Sequence, residues 1–271
     1  MSATLATIKS SGHIRVGYFE GPPNAYTDPT SGQATGESPE ILRHIAEAQG
    51  WQVDFSSMDF AGLIPGLQAN QIDAISGGLY IKPSRCAAVS FSNPTYKDGS
   101  GMAVKAGNPL NLHSYADVAA NPQVRFGGTS ASFELQIAQQ AGITAAQTTE
   151  YPTNEDLVAA LVAGRVDAVA STYSILNALI QKTNNPAIAF VTDFQDPVVA
   201  GKPQINVGGL VFRQGDDDLI QIFNAGIAAA LSSGWQLQNL QKFGFTDKNL
   251  PPDGATAAQY CTAPPSPAPT T

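Results

Sequence analysis

Charge is scarce in this chain of 271 residues: Asp, Glu, Lys and Arg together make up only 13%, about half the usual share. Positive charge is the scarcer sign, with 14 Lys and Arg against 22 acidic residues and a net charge of −8. That balance excludes an extended phosphate-binding face and with it a nucleic-acid partner. No apolar run approaches the ~20 residues that a membrane-spanning helix needs. The three histidines, His13, His44 and His113, are too scattered for a metal or catalytic cluster. His44 falls within a helical pattern, and His113 precedes a helix N-cap at Ser114. There is no Gly-x-Ser-x-Gly elbow, His-Glu-x-x-His pair, P-loop or Gly-x-Gly-x-x-Gly fingerprint, so nothing assembles a nucleophile, a base and an orienting group. Asp216, Asp217 and Asp218 read as a helix start favoured by negative charge rather than as a metal site. The reading is of a chain with no catalytic residues, no metal and no cofactor.

Only two cysteines are present, Cys86 and Cys261. They are either two unconnected small apolar residues or one disulfide tying the C-terminal tail to the main body, which would need an oxidising compartment. The first residues carry no apolar h-region, so no signal peptide is visible. Export would mean that a leader has been removed.

What is there is an apolar, periodic chain. Hydrophobic residues make up 43%, with 25 Gly and 19 Pro, enough for a sizeable core that needs neither metal nor disulfide. Residues 14–18 (IRVGY) predict a strand broken by Gly21, Pro22, Pro23 and Asn24. A helix is predicted over 39–49, with Ile41, Leu42, Ile45 and Ala48 on one face and Gly50 as its stop. Residues 51–56 predict the next strand, and the same rhythm recurs to about Phe243. The fold class is therefore α/β with largely parallel sheets. Residues 263–271, rich in Pro, Ala, Ser and Thr, read as a flexible tail.

An internal repeat is the most informative feature. Residues 63–81 (LIPGLQANQIDAISGGLYI) lie over 157–175 (LVAALVAGRVDAVASTYSI) without a gap, with six of nineteen positions identical and three more exchanging Ile for Val. Each copy predicts a helix, a tight turn and a buried strand, and hence two similarly built lobes. Two lobes require the chain to cross between them, and the extended runs at 101–106 and 206–213 are the predicted crossing strands. Lobe one then takes 1–103 and 207–262, and lobe two takes 104–206. Ligands of open α/β sheets sit beyond the carboxyl ends of strands. That picks out Gly77, Gly78, Tyr80 and Arg85 in one lobe, and Ser171, Thr172 and Ser174 in the other.

Residues 81–96 (IKPSRCAAVSFSNPTY) resemble the signature of the periplasmic solute-binding proteins of polar-amino-acid-type ABC transporters, family 3. The stretches 36–41 (GESPEI), 62–67 (GLIPGL) and 164–169 (GRVDAV) extend that resemblance over about 14–245. It implies a two-lobed type II periplasmic-binding-protein fold with two crossing hinge strands and a ligand in the interlobe cleft. It also implies a periplasmic or extracytoplasmic location, a membrane permease as partner, a monomer and no enzymatic activity.

By the same resemblance, Arg85 grips the ligand carboxylate. Amino-acid binders place an acidic residue where Thr172 stands, and a small hydroxyl residue where Tyr80 stands. With Phe60, Tyr80 builds an aromatic wall, a pattern that resembles the ectoine/hydroxyectoine-binding branch. Residues 107–109 (GNP) and 112–115 (LHSY) are similar to that branch as well. Ectoine carries a carboxylate and an amidine cation, and the diffuse cation suits aromatic faces. Glu20 is the candidate partner for that cation, and Asn24 stands where the branch offers an aromatic, with Phe19 and Tyr26 nearby. Gly78 and Ser132 complete the expected ligand contacts. Phe60 and Tyr80 alternatively pack in a core, Arg85 alternatively lies on the surface, and Glu20 alternatively faces solvent.

The expected function is thus a receptor for a small zwitterionic compatible solute. The alternatives are a receptor for an amino acid or an N-substituted derivative, and a dehydratase of the cyclohexadienyl type on the same fold. The dehydratase needs a cleft carboxylate in lobe two. Glu134, Glu150 and Glu155 are the nearest, and none is expected at the strand end.

Overall fold

The computed structural model describes residues 1–130, 132–199 and 202–262; the tail expected over 263–271 lies outside them. The chain divides into two units, Met1–Lys97 with Val207 onward, and Asp98–Asn206. The first crossing therefore falls in the strand Tyr96–Asp98, not in the run at 101–106, and the first unit's boundary stands at Lys97 rather than at residue 103. The reason is that Ser100–Lys105 is committed along its length to the sheet of the second unit, where Ser100 to Val104 pair with Thr172 to Ala168. The return lies in Asn206–Gly208.

Each unit is built on a five-stranded sheet, and the two sheets follow one plan. In the first, the order is Gln52–Ser57, His13–Tyr18, Ala74–Ile75, Val211–Phe212 and Ser90–Phe91. In the second it is Thr148–Tyr151, Phe126–Thr129, Ala168–Thr172, Ser100–Lys105 and Ile188–Phe190. The first three strands are parallel in both, and the fourth runs antiparallel to its neighbours.

Helices cover both faces of these sheets, as parallel strands require. Val16, Ala74 and Phe212 pack with Ile41, Leu42, Ile45 and Phe223. Their strand neighbours Ile75, Val211 and Phe91 pack with Leu63, Leu67 and Val89. In the second unit Met102, Phe126 and Ala170 join Tyr115 and Leu135, while Ala103 and Val169 join Leu157, Leu161 and Leu176.

The helix expected at 39–49 runs Glu37–Ala48, and Gly50 beyond it adopts φ 77°. Pro39 costs little there, because first-turn amides have no intrahelical acceptor. Its buried face includes Ala46 rather than Ala48. Ala46 lies one helical step beyond Leu42 and so stays on the stripe that Ile41, Leu42 and Ile45 define. The run Asp216, Asp217 and Asp218 opens the helix Asp217–Ser232 as expected.

The repeat is conformational as well as sequential. The helices Phe60–Gln68 and Asn154–Val162 end at Asn70 with φ 58° and at its counterpart Gly164 with φ 67°, the left-handed stop that Gly and Asn adopt most readily. Beyond each turn the shared aspartate meets an arginine at a strand of its own sheet. Arg15 gives Asp73 its backbone amide at 3.0 Å, Nε at 3.0 Å and Nη2 at 2.6 Å. Arg125 gives Asp167 the same three contacts at 3.1, 3.0 and 2.8 Å. Lys105 Nζ adds a fourth at 3.1 Å. The Arg125 side-chain bonds hold the Asp167 carboxyl well below its ordinary range, against the opposing pull of burial.

Cys86 and Cys261 form a disulfide, 175 residues apart in sequence, so they are not unconnected. The bridge joins the two chain segments of the first unit, and the chain-entropy model assigns such a long loop about 4–5 kcal/mol.

The repeated clasp yields a test. Asp167→Ala leaves the Arg125 amide and guanidinium without their acceptor. Arg125 is half exposed, so water can take over its donors and the substitution removes only a small stabilisation. Urea denaturation should show that loss with an unchanged m-value, whereas an unmoved midpoint would show that the clasp adds nothing.

Candidate functional site

On the first unit, the candidate residues gather where the strands His13–Tyr18 and Ala74–Ile75 end. Arg85 stands on the four-residue helix Pro83–Cys86, begun by Pro83 at a position where proline's fixed φ suits a helix start. It is half-buried. Its Nη1 donates to the Tyr80 carbonyl at 2.8 Å, and its other donors meet no acceptor among the described residues. No carboxylate lies within ion-pair distance of it among those residues. Burial lowers its pKa, with Tyr96 and Tyr80 opposing. The guanidinium carbon lies 5.6 Å from the centroid of the Phe60 ring.

Phe60 opens the helix Phe60–Gln68 and is 50% exposed, so it is not a core residue. Phe19 meets it edge to face at 5.0 Å and also lies over Gly77, where a Cβ would stand 3.0 Å from the ring. Tyr80 is partly exposed, 6.3 Å from the Tyr96 ring, with Lys82 Nζ 5.9 Å from its own centroid. The sequence reading missed Lys82, although its place two residues after Tyr80 on an extended segment was the available signal.

The first loop departs from expectation. Glu20 is exposed, and its carboxylate accepts from the Thr27 hydroxyl at 2.5 Å, the Thr27 amide at 3.0 Å and the Ser57 hydroxyl at 3.4 Å. These bonds, that of the Thr27 hydroxyl foremost, hold the carboxyl below its ordinary value. Glu20 staples its own loop. Asn24 lies against Gly78, where a Cβ would come within 2.7 Å of its side chain, and its Nδ2 donates to Glu37 Oε1 at 3.3 Å. Gly78 has φ 67°, and its carbonyl accepts from the Tyr96 hydroxyl at 2.6 Å. Of the two aromatics near Asn24, Phe19 meets Phe60 and Tyr26 meets Phe243.

On the second unit, Thr172 ends the strand Ala168–Thr172 and donates to Glu134 Oε1 at 2.9 Å. Glu134 sits in the first turn of the helix Phe133–Gln140 and is 6% exposed. A carboxylate therefore does reach the strand end, contrary to the sequence reading. It arrives from a neighbouring helix, which spacing along the strand cannot disclose. Ser132 caps that helix, its hydroxyl accepting from the Leu135 amide at 3.1 Å. Ser171 donates to Asn154 Oδ1 at 2.7 Å.

Asp98 is 2% exposed and accepts from the Ser174 hydroxyl and amide and from the Gly99 amide. Burial pushes its carboxyl up to about 7, with the nearby charge of Glu134 adding to the rise. Neither acid has a cation within ion-pair distance among the described residues.

Asp98 makes stability depend on pH. Its carboxyl stands near 7 when folded against an ordinary 3.8, so between those values the folded state keeps a proton that the unfolded state has lost. Stability should fall as the pH rises through that window, by up to about 1.4 kcal/mol per pH unit. In Asp98→Asn, urea denaturation at several pH values should show that slope removed; an unchanged slope would mean that Asp98 does not carry it.

Comparisons with known proteins bear on the family and the fold. Residues 14–246 match the family model of bacterial extracellular solute-binding proteins, family 3. A probable amino-acid ABC transporter periplasmic-binding protein of Sinorhizobium fredii is 32% identical over 252 residues, covering 92% of this chain and 82% of the relative. The L-arginine-binding protein of Pseudomonas aeruginosa is 27% identical over 242 residues, covering 89% of this chain and 91% of its own. The crystal structure of EhuB in complex with hydroxyectoine is similar at a TM-score of 0.66 and 30% identity, over 96% of this chain and 98% of that one.

Proposed function

The chain belongs to the bacterial extracellular solute-binding proteins of family 3, and from that premise we propose that it binds a small zwitterionic compatible solute of the ectoine class outside the cytoplasm. Solute-binding proteins of ABC transporters take up small ligands and work with membrane permeases, and relatives named as such are not enzymes. The chain is a binding protein in the same sense. Among the described residues no helix is long and apolar enough to cross a membrane. In our reading it acts as a monomer and hands its solute to the permease.

The observation that carries the proposal is the half-buried Arg85, which among the described residues has no carboxylate partner and keeps donors free of acceptors. A guanidinium in that state is a ready two-pronged donor to a ligand carboxylate. Phe60, Phe19 and Tyr80 supply the π-faces that suit a delocalised cation. The neighbour EhuB, whose structure holds hydroxyectoine, supports the same ligand class. Gly78 and Asn24 shape the loop beside Tyr80, and Ser132 and Thr172 are the proposed contacts on the second unit. Glu20, committed to Thr27 and Ser57, is assigned to the loop and not to the ligand.

Glu134 favours a second reading, an amino-acid ligand. Its carboxylate at Thr172 restores the acidic group that Thr172 itself lacks, and a compact ammonium suits it better than a diffuse amidinium. The named relatives are amino-acid binders, which supports this reading too.

A thermal-shift panel of ectoine, hydroxyectoine, betaines and amino acids separates the two. A solute at 100 times its dissociation constant should stabilise the protein by about 2.7 kcal/mol. A response to ectoines alone supports the first reading, and one to amino acids alone replaces it with the second. If neither class moves the melting temperature, both are wrong. Phe60→Leu and Tyr80→Leu should each weaken an ectoine-type cation by roughly 0.5–2 kcal/mol; unchanged calorimetric affinity would reduce the rings to packing.

A further inference from the structure

We infer that the Cys86–Cys261 bridge is a positioning element for the ligand arginine, setting the affinity of the first unit for a carboxylate and not only its stability. The inference rests on the assignment of Arg85 to the ligand carboxylate. Cys86 directly follows Arg85 on the helix Pro83–Cys86. That helix has four residues, none of them buried, and no side-chain cap at Lys82. One turn of helix is unstable by itself, so its placement comes from outside.

The non-covalent restraints on it are thin. Gln214 Nε2 donates to the Cys86 and Ala87 carbonyls at 3.3 and 3.2 Å, and Gln68 Nε2 donates to the Ala88 carbonyl at 3.2 Å. All three bonds are exposed to solvent, where water competes. Arg85 itself adds one bond, to Tyr80. The remaining ties are the packing of Cys86 and Ala88 on the apolar cluster that contains Ile81 and Val89, and the covalent bridge.

At its other end the bridge holds the helix Ala257–Cys261, which also buries none of its residues. Ala257, Tyr260 and Cys261 pack with Cys86 on the same apolar cluster that contains Leu63, Ile81 and Val89. The C-terminal helix is thus a brace laid along the back of the arginine's turn. A guanidinium that must meet a carboxylate in two-pronged geometry gains affinity from being held before the ligand arrives. The bridge adds a covalent restraint to the partial burial of Cys86.

The test compares the wild-type chain with the double variant C86A/C261A, which leaves no free thiol. Titration calorimetry uses the carboxylate solute that gives the strongest response in the panel, at a temperature where circular dichroism shows both proteins folded. We expect about tenfold weaker binding in the variant, together with faster amide exchange at position 86 and at Ala88 and Val89. A lower melting temperature with unchanged affinity would overturn the inference, because a purely structural brace would do only that.

Should the double variant not fold, the native bridge is opened in the folded protein with excess dithiol. Two electrons and two protons pass to the cysteines while the dithiol closes to its own disulfide. Affinity should then fall and return on re-oxidation; constant affinity through that cycle overturns the inference. A wild-type protein that binds no carboxylate solute at all would instead remove the Arg85 assignment, and the positioning role with it.

Discussion

A half-buried guanidinium with no carboxylate within ion-pair distance among the described residues is the constraint on which the proposed site depends. Removing Arg85 from water penalises its charged form, and no carboxylate among the described residues of its own unit repays that cost. The Tyr80 carbonyl and the Phe60 face offset part of it. In the proposed function a ligand anion offsets the rest. The surrounding features follow from keeping that cation in place: a proline-started turn, a left-handed glycine at Gly78 that lets the Asn24 loop approach, and a disulfide directly beside the arginine.

The second unit carries the opposite imbalance. Asp98 and Glu134 are buried acids served by hydroxyl and amide donors, and their mutual repulsion contributes to the raised Asp98 pKa. In the proposed function the solute is a zwitterion whose carboxylate is assigned to Arg85. The sharpness of the positive group separates the two candidate classes. Aromatic faces favour a diffuse cation, and a single carboxylate favours a compact one.

Much of the fold was legible because it is written twice. Asp73 and Asp167 fall at the same place in a repeated helix, turn and strand, and Asn70 and Gly164 mark the same left-handed turn. Their clasps to Arg15 and Arg125 were not legible, since strand pairing brings the arginines in from 58 and 42 residues away. The first crossing was misplaced for a related reason. The run at 101–106 looks like any extended connector, and only its pairing with Ala168–Thr172 shows it to be an interior strand. Among the proposed site residues, Arg85, Phe60 and Tyr80 carried local signals in a short motif and two aromatics beside it. Glu134 was named among the nearest carboxylates, but its reach to Thr172 was not legible, because it depends on where a neighbouring helix points its first turn. Glu20 was assigned to the ligand by position, whereas Thr27 lies close enough on the same loop to claim it.

The most direct test of the account is Arg85→Ala, measured by titration calorimetry with the best solute of the panel and checked by circular dichroism. The ligand carboxylate would then be buried without its partner, and truncating one member of such a pair costs about 2–5 kcal/mol. The account predicts binding lost to that extent with the fold intact. A loss smaller than about threefold, well under that range, would place the carboxylate elsewhere and contradict it.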